Sequence, residues 1–164
     1  MIIFIKNKHT LQLDEFKFRC CVGNKGLTKQ KKEGDQKTPK GIFKIGKLFY
    51  RKDRIRKPKA RLECFAINKN HGWCDDPSDK KNYNKLVNSQ IVKKSEILFR
   101  KDHKYDLFIE IKYNTSKKIL GKGSAIFLHL TKNYQGTKGC IALAKKDMMI
   151  LLKLIKRNTV IKIT

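Results

Sequence analysis

A histidine and a cysteine, His129 and Cys140, lie eleven positions apart in the C-terminal part of the chain. His129 stands near the end of an apolar stretch, 124–130, and Cys140 follows a short loop that contains glycine. A cysteine thiol has an unperturbed pKa of about 8.5, so it needs a base to act as a nucleophile at neutral pH. An imidazole within hydrogen-bond reach supplies that base, and the resulting ion pair favours attack on a carbonyl. The pattern therefore indicates covalent catalysis by a cysteine.

The residue before the cysteine is also suited to this chemistry. Gly139 allows the backbone to approach a substrate closely. The amides of Gly139 and Cys140 are candidates for an oxyanion hole, in which one donor contributes about 3 kcal/mol. A structural interpretation remains open at this point, with Cys140 as a small buried hydrophobe and His129 as the cap of a strand.

The elements that must position these residues are mainly strands. Apolar alternation and β-branched residues predict strands, and apolar residues at helical spacing predict one helix. The polar segments 28–38, 51–59 and 68–90 are predicted as loops or irregular chain. We therefore predict one β-rich α+β domain. Its strands are expected at 2–6, 16–22, 41–46, 61–67, 107–113, 124–130 and 159–163, and its helix at 145–156.

Composition limits the class of protein. The chain has 164 residues, of which 40% are hydrophobic, so one domain with a packed core is expected. No apolar run reaches the roughly 20 residues of a membrane-spanning helix. The 40 Lys and Arg against 14 Asp and Glu give a net charge of +26. This charge suggests a polyanionic partner, but 33 Lys against 7 Arg is also what AT-rich codons would produce without selection for binding.

The cysteines and the N-terminal residues indicate the cellular compartment in which the protein is expected. The five cysteines are an odd number with no C-x-x-C spacing, which argues against a structural metal site and favours a reducing compartment. Residues 1–6 lack the basic region and the length of a signal peptide. We expect a cytoplasmic protein if Met1 is the true start, and a cell-envelope or periplasmic one if a signal segment has been lost.

The chain resembles the L,D-transpeptidase catalytic-domain (YkuD-like) family. The family signature is a strand histidine, a loop and Ser/Thr-x-Gly-Cys, here His129 and 137–141, T-K-G-C-I. Residues 32–43, KEGDQKTPKGIF, are similar to the family's E-G-D-x-x-T-P-x-G-x-F segment. Two further stretches are similar to one branch of the family. These are 72–77, GWCDDP, with Tyr83-Asn84, and 121–129, GKGSAIFLH.

The resemblance implies a fold and a reaction. The fold would be a YkuD-like β-sandwich with one C-terminal helix, forming a single catalytic domain over 1–164. Cys140, assisted by His129, would attack the L,D bond of a peptidoglycan tetrapeptide stem and release D-Ala through a thioester. An amine acceptor would make the protein an L,D-transpeptidase, and water would make it a cytoplasmic L,D-carboxypeptidase of peptidoglycan recycling. The implied partners are stem peptides or muropeptides. We expect a monomer with no cofactor, metal or membrane span.

Two positions depart from the family pattern. Lys138 replaces a histidine often found before Gly-Cys, and Ala142 replaces a common arginine after it. A lysine elsewhere would then have to bind the substrate's carboxylate. The family's imidazole is usually held by a backbone carbonyl, and the sequence does not identify that partner.

Other candidate residues have two interpretations each. Asp75 and Asp76 are candidates to orient the substrate's amine, or to form a turn beside a proline. Trp73 is predicted to line the cleft or to fill the core. Thr137, like Lys138, is a candidate to support the thiolate or the oxyanion region. Tyr134 is predicted to belong to a lid or simply to cover the loop.

A non-catalytic nucleic-acid-binding module is the remaining alternative. Only the charge supports it. The chain has no helix-turn-helix pattern, no aromatic RNA-binding signature and no clustered arginines. Nucleic acid is therefore not an expected partner.

Overall fold

The protein folds mainly into β-strands, with one α-helix, as a computed structural model of all residues 1–164 shows. This confirms the predicted α+β, mainly β class. The helix is α1, Lys145–Leu154. The strands are β1 Ile2–Lys6, β2 Thr10–Leu13, β3 Phe16–Cys21, β4 Leu27–Thr28, β5 Thr38–Pro39, β6 Gly41–Arg51, β7 Cys64–Ile67, β8 His71–Cys74, β9 Leu86–Asn88, β10 Ser95–Ile97, β11 Leu107–Ile111, β12 Phe127–Leu130, β13 Ile141–Leu143 and β14 Val160–Ile163.

One nine-stranded sheet dominates the fold. Its strand order is β11-β12-β13-β3-β2-β1-β14-β6-β7, and an additional pairing of β6 with β11 joins its two sides. Strands β12 and β13 pair in parallel, as do the first and last strands of the chain, β1 and β14. Smaller sheets are formed by β10-β8-β9 and by β4-β5. The long strand β6 contacts three neighbours, which ties the sheet together.

The first hydrophobic cluster, called here the aliphatic core, contains 24 buried residues on one face of this sheet. Alternate residues of nearly every strand of this sheet contribute to it, as period-two alternation requires. Helix α1 adds Met148, Leu151 and Leu152, at the spacing of one helical face. Ile155, which takes an extended conformation, ends the helix earlier than predicted. This helix is too short to cross a membrane.

The second cluster, called here the aromatic core, contains nine buried residues. It lies on the other face of β6, β11 and β12 and receives Trp73 from the sheet β10-β8-β9. Phe49 stacks on Phe108 at 4.9 Å between ring centroids, and Trp73 meets Phe127 edge-on at 5.1 Å. Cys140 is a member of this second cluster.

Several element predictions need correction. Strand β2 was not predicted, and β8, β9 and β10 lie in or beside a segment expected to be irregular. These strands have three or four residues each, too few for alternation to stand out. The strand predicted at 124–130 begins only at Phe127, because Ala125 has φ +50°, outside the extended region.

Candidate active site

Strand pairing brings His129 and Cys140 to one face of the sheet. In the parallel pair β12–β13, Leu128 lies opposite Ile141 and His129 lies opposite Ala142. Cys140, one position before Ile141, is therefore level with residue 127 and points to the same face as His129. Diagonal neighbours on adjacent strands have Cα atoms about 7–8 Å apart. Residues 131–140 form the loop that connects β12 to β13 and allows the two strands to run in parallel.

Both side chains line one pocket of about 640 Å³. Gly139, Thr137 and Ala142 also line it, and its wall carries charged side chains of both signs. No group of three or more His, Cys, Asp or Glu side chains is arranged to hold a metal ion. The groups that line the pocket are the thiol, the imidazole, backbone amides and charged side chains.

A backbone carbonyl fixes the His129 ring. Its Nδ1 lies 2.8 Å from the carbonyl oxygen of Leu130, which can only accept, so Nδ1 carries the proton. The other ring nitrogen, Nε2, is then the unprotonated one. Burial lowers the pKa of His129 from 6.5 to about 4, and the nearby positive charges of Lys104 and Arg100 add to this. The imidazole is thus neutral at pH 7, with Nε2 available as a base.

The Cys140 thiol is held by two backbone groups. Sγ donates to the carbonyl oxygen of Ala125 at 3.2 Å and accepts from the Phe127 amide at 3.3 Å. Burial raises the pKa of Cys140 from 9.0 to about 12, and the negative charge of Glu96 contributes to the rise. The thiol is therefore protonated at neutral pH. The sequence argument anticipated a standing thiolate beside the imidazole, whereas burial in this structure favours the neutral form of each group.

The turn before Cys140 is fixed by two threonines. Thr137 Oγ1 donates to the carbonyl oxygen of Cys140 at 2.6 Å and accepts from the Gly139 amide at 3.0 Å. Thr38 Oγ1, from the T-P motif, donates to the carbonyl oxygen of Gly139 at 2.7 Å. Gly139 has φ +143°, and a Cβ there would lie 3.0 Å from the carbonyl oxygen of Lys37. This turn therefore requires glycine.

The hydrogen bonds of this turn separate the two candidate oxyanion donors. The Gly139 amide is occupied by Thr137, whereas the Cys140 amide makes no hydrogen bond within the protein. Of the two predicted donors, only the Cys140 amide is free to meet a developing negative charge. The role of Thr137 in this structure is to shape the turn rather than to contact the thiol.

The GWCDDP motif is connected to the site through hydrogen bonds to Asn84. Trp73 is buried, does not line the pocket, and donates from Nε1 to Asn84 Oδ1 at 2.9 Å. The same oxygen accepts from the Ala125 amide at 3.1 Å. Asn84 thereby holds Ala125, whose carbonyl accepts the Cys140 thiol. Of the two interpretations of Trp73, the structure selects core, and it identifies Asn84 as the residue that connects this motif to the nucleophile.

The paired aspartates separate. Asp75 is exposed and lines the pocket. Asp76 lies outside it and accepts from the amide and hydroxyl of Ser78 at 3.0 and 2.7 Å, which is a turn-forming role. Of this pair, only Asp75 is placed to meet a ligand.

The last two candidates also differ. Lys138 is exposed and lines the pocket. Tyr134 does not line it, because its ring packs under the Arg19 guanidinium, 4.2 Å from its centroid. Tyr134 covers the loop in this structure.

Sequence reasoning missed the pocket residues Glu96, Arg100, Lys104 and Tyr105. They come from polar chain around and after β10, a strand that was not predicted. Because Ala142 replaces the family's common arginine, the sequence indicated that another basic residue must bind the substrate's carboxylate. With 33 lysines in the chain, however, that signal could not choose among them.

Comparison with known families identifies the family of this chain. The model of the YkuD family, the L,D-transpeptidase catalytic domain, matches residues 1–163. No curated protein matches the chain. This family acts on peptidoglycan peptides. Because the match spans nearly the whole sequence, the chain belongs to the L,D-transpeptidase catalytic domain family of peptidoglycan enzymes.

Proposed function

We propose that this protein is an L,D-transpeptidase that acts on tetrapeptide stems through a thioester on Cys140. The observation that carries the proposal is the shared pocket of Cys140 and His129, in which the Leu130 carbonyl leaves Nε2 of the imidazole as the free base. A thiol and an oriented neutral base on one sheet face are the two parts that cysteine acyl transfer requires.

The first half-reaction begins from two neutral groups. As Cys140 attacks the carbonyl at the L-centre of the stem's third residue, its proton passes to Nε2 of His129. The Leu130 carbonyl stabilises the imidazolium through Nδ1–H, and the free Cys140 amide donates to the oxyanion. The carbon–nitrogen bond to D-Ala then breaks, His129 returns the proton to the departing amine, and a thioester remains.

The second half-reaction restores the enzyme. An amine from another stem, or a free D-amino acid, attacks the thioester carbonyl and gives its proton to His129. The carbon–sulfur bond breaks and the thiol is protonated again. The net charge of +26 would concentrate anionic stems near the pocket whatever its origin.

The test is incubation with a disaccharide-tetrapeptide, with and without a D-amino acid, followed by mass analysis of the products. Loss of D-Ala together with an exchanged or dimeric product is expected. A tripeptide as the sole product would show that water, not an amine, accepts the acyl group, and the protein would then be an L,D-carboxypeptidase.

Two variants assign the product to the site. Cys140→Ala must abolish product formation, whereas Cys64→Ala, which removes a half-buried thiol that does not line the pocket, must not. No loss of D-Ala, or full activity in Cys140→Ala, would overturn the proposal.

A further inference from the structure

One outward-facing part of the nine-stranded sheet carries apolar side chains that are open to water. Strands β1, β14 and β6 lie side by side there, and their alternate residues point into the aliphatic core. The residues between these point outward, where a sheet face open to water is normally polar. Several outward residues are instead apolar, namely Ile2, Phe4, Val160 and Ile42. Ile42 is 62% exposed and Ile2 is 39% exposed, so the fold does not use them as core.

Lysines alternate with these apolar residues across the three strands. Strand register places Phe4 opposite Lys162, and Lys162 opposite Ile42. The Nζ atoms of Lys6 and Lys162 lie 5.6 and 6.0 Å from the centroid of the Phe4 ring. Phe4 is therefore flanked by two ammonium groups, each within reach of the face of its ring.

The same side of the sheet remains basic beyond these residues. Lys44 of β6 is exposed, and across β2 the exposed Lys17 and Arg19 of β3 point to the same side. Neither these three nor the two lysines beside Phe4 take part in an ion pair. The strands concerned contain no Asp or Glu, and Asp14 and Glu15 lie in the turn between β2 and β3. The four apolar residues and these five cations are called here the basic sheet face.

The composition of this face indicates the chemistry of its partner. Cations without a carboxylate among them favour an anionic surface. A second copy of this chain would bring its own cations against them, which is repulsive. A nucleic acid offers phosphates to the cations, but its phosphate backbone offers no apolar surface to the isoleucines. An anionic bilayer offers both, because lysine heads reach the headgroups while apolar side chains enter the boundary of the acyl chains.

The basic sheet face also lies away from the pocket. Strand β12, which carries His129, is four strands from β1 in either direction around the sheet, since β6 pairs with β11. A surface bound at β1 would therefore leave the pocket open to substrate.

We propose that the basic sheet face docks the protein on the surface of an anionic phospholipid bilayer. Phe4 and Ile42 contact the acyl boundary, and the surrounding cations contact the phosphodiester headgroups. The docking surface is separate from the reaction proposed above and does not depend on it.

Cosedimentation with vesicles tests this surface. The full-length protein is mixed with vesicles of equimolar phosphatidylglycerol and phosphatidylcholine, and separately with vesicles of phosphatidylcholine alone. We expect binding to the first, weakening as salt is added, and no binding to the second. The double variant Lys17→Glu, Lys44→Glu should weaken binding about thirtyfold or more, because two attractive charges become repulsive.

The matched control is the double variant Lys52→Glu, Lys69→Glu. It changes the net charge by the same amount at exposed residues outside the face, so it should weaken binding much less. Ile42→Ser keeps the charge and removes an exposed apolar side chain, and it should weaken vesicle binding about fivefold or more. Ile91→Ser, at a residue that is 78% exposed outside the face, is its control and should bind as the wild type does.

Several results would overturn the docking surface. These are no preference for the anionic vesicles, equal weakening by the two double variants, and unchanged binding of Ile42→Ser. Binding of duplex DNA but not of vesicles, weakened by Lys17→Glu, Lys44→Glu, would replace the bilayer by nucleic acid. A dimer seen by analytical ultracentrifugation without vesicle binding, and lost in Ile42→Ser, would replace it by a second copy of the chain.

The reaction is measured separately on a soluble tetrapeptide. The two double variants have the same net charge, and none of their residues lines the pocket, so they should release D-Ala at equal rates. Failure of the docking surface and failure of the proposed reaction are therefore distinguishable.

Discussion

Strand β12 contributes to two cores that differ in composition. Leu128 and Leu130 point into the aliphatic core, whereas Phe127 faces the aromatic core and His129 faces the pocket beside it. The start of β13 divides in the same way, because Ile141 lies in the aliphatic core and Cys140, just before it, lies in the aromatic core. All six residues are buried, so burial alone does not distinguish the face that holds the candidate catalytic groups.

The difference lies in what burial does to each face. In the aliphatic core, removing apolar surface from water stabilises the fold. Burial there also raises the pKa of Cys20 to about 12, but Cys20 does not line the pocket. On the aromatic side the same burial changes the charge states of polar groups, raising the pKa of Cys140 and lowering that of His129. Cys140 and His129 also each have a backbone hydrogen-bond partner. One sheet thus combines a face made almost wholly of aliphatic side chains with a face whose titratable groups line the pocket.

The largest expected effect is on activity. Cys140→Ala should reduce D-Ala release by about 10⁴-fold or more, since the covalent step is lost. Its free energy of unfolding should fall by only about 1–2 kcal/mol, because the side chain is small. Cys20→Ala, in the aliphatic core, is the matched control and should keep the activity per folded molecule. Product analysis and urea unfolding measure the two quantities, and equal loss of activity in both variants would contradict the distinction between the faces.

The next effect is on stability. Leu128→Ala should lower the free energy of unfolding by about 2–5 kcal/mol, because the cavity forms in a tightly packed core. The activity of the remaining folded protein should be nearly unchanged. If Leu128→Ala lost as much activity per folded molecule as Cys140→Ala does, the aliphatic face would also be needed for catalysis.

Asn84→Ala tests the support behind the nucleophile. The change leaves the Trp73 indole N–H and the Ala125 amide without their acceptor, at about 1–3 kcal/mol for each buried group. Since the Ala125 carbonyl holds the thiol, the rate of D-Ala release should fall as well. Asn158→Ala, at an exposed turn residue whose side chain makes no hydrogen bond, is the control and should change neither quantity. A stability loss without any loss of rate would limit Asn84 to a structural role.

The smallest effect concerns pH. His129 has a folded pKa of about 4 against an ordinary 6.5, so the unfolded chain binds the extra proton first as pH falls. Its contribution to stability is complete above pH 6.5 and is lost between pH 6.5 and 4. The raised pKa of Cys140 works in the opposite direction, with stability lost as pH rises from 9 towards 12. Urea unfolding of the wild type and His129→Gln at pH 5 and 7.5 should show a flatter dependence in the variant, and parallel curves would contradict it.

Much of the local structure was predictable from sequence. Apolar alternation located the longer strands, among them β1, β3 and β11, and spacing located α1, because these elements bury one face or stripe. Strands of three or four residues such as β8 and β10 were missed, since their pairing with each other, not their composition, holds them extended. The T-P and GWCDDP motifs were noticed, but their support of the nucleophile through Thr38 and Asn84 was not predicted.

By itself, the sequence determined the fold class, the family and the identity of His129 and Cys140 as the candidate reactive pair. Residue type and spacing carry that information locally. Only the tertiary structure decided that Leu130 orients the imidazole, that burial favours the neutral forms of His129 and Cys140, and that Tyr105 contacts Glu96 and Arg100. These features depend on burial and on contacts between segments distant in the chain, and neither can be read from the types of the residues alone.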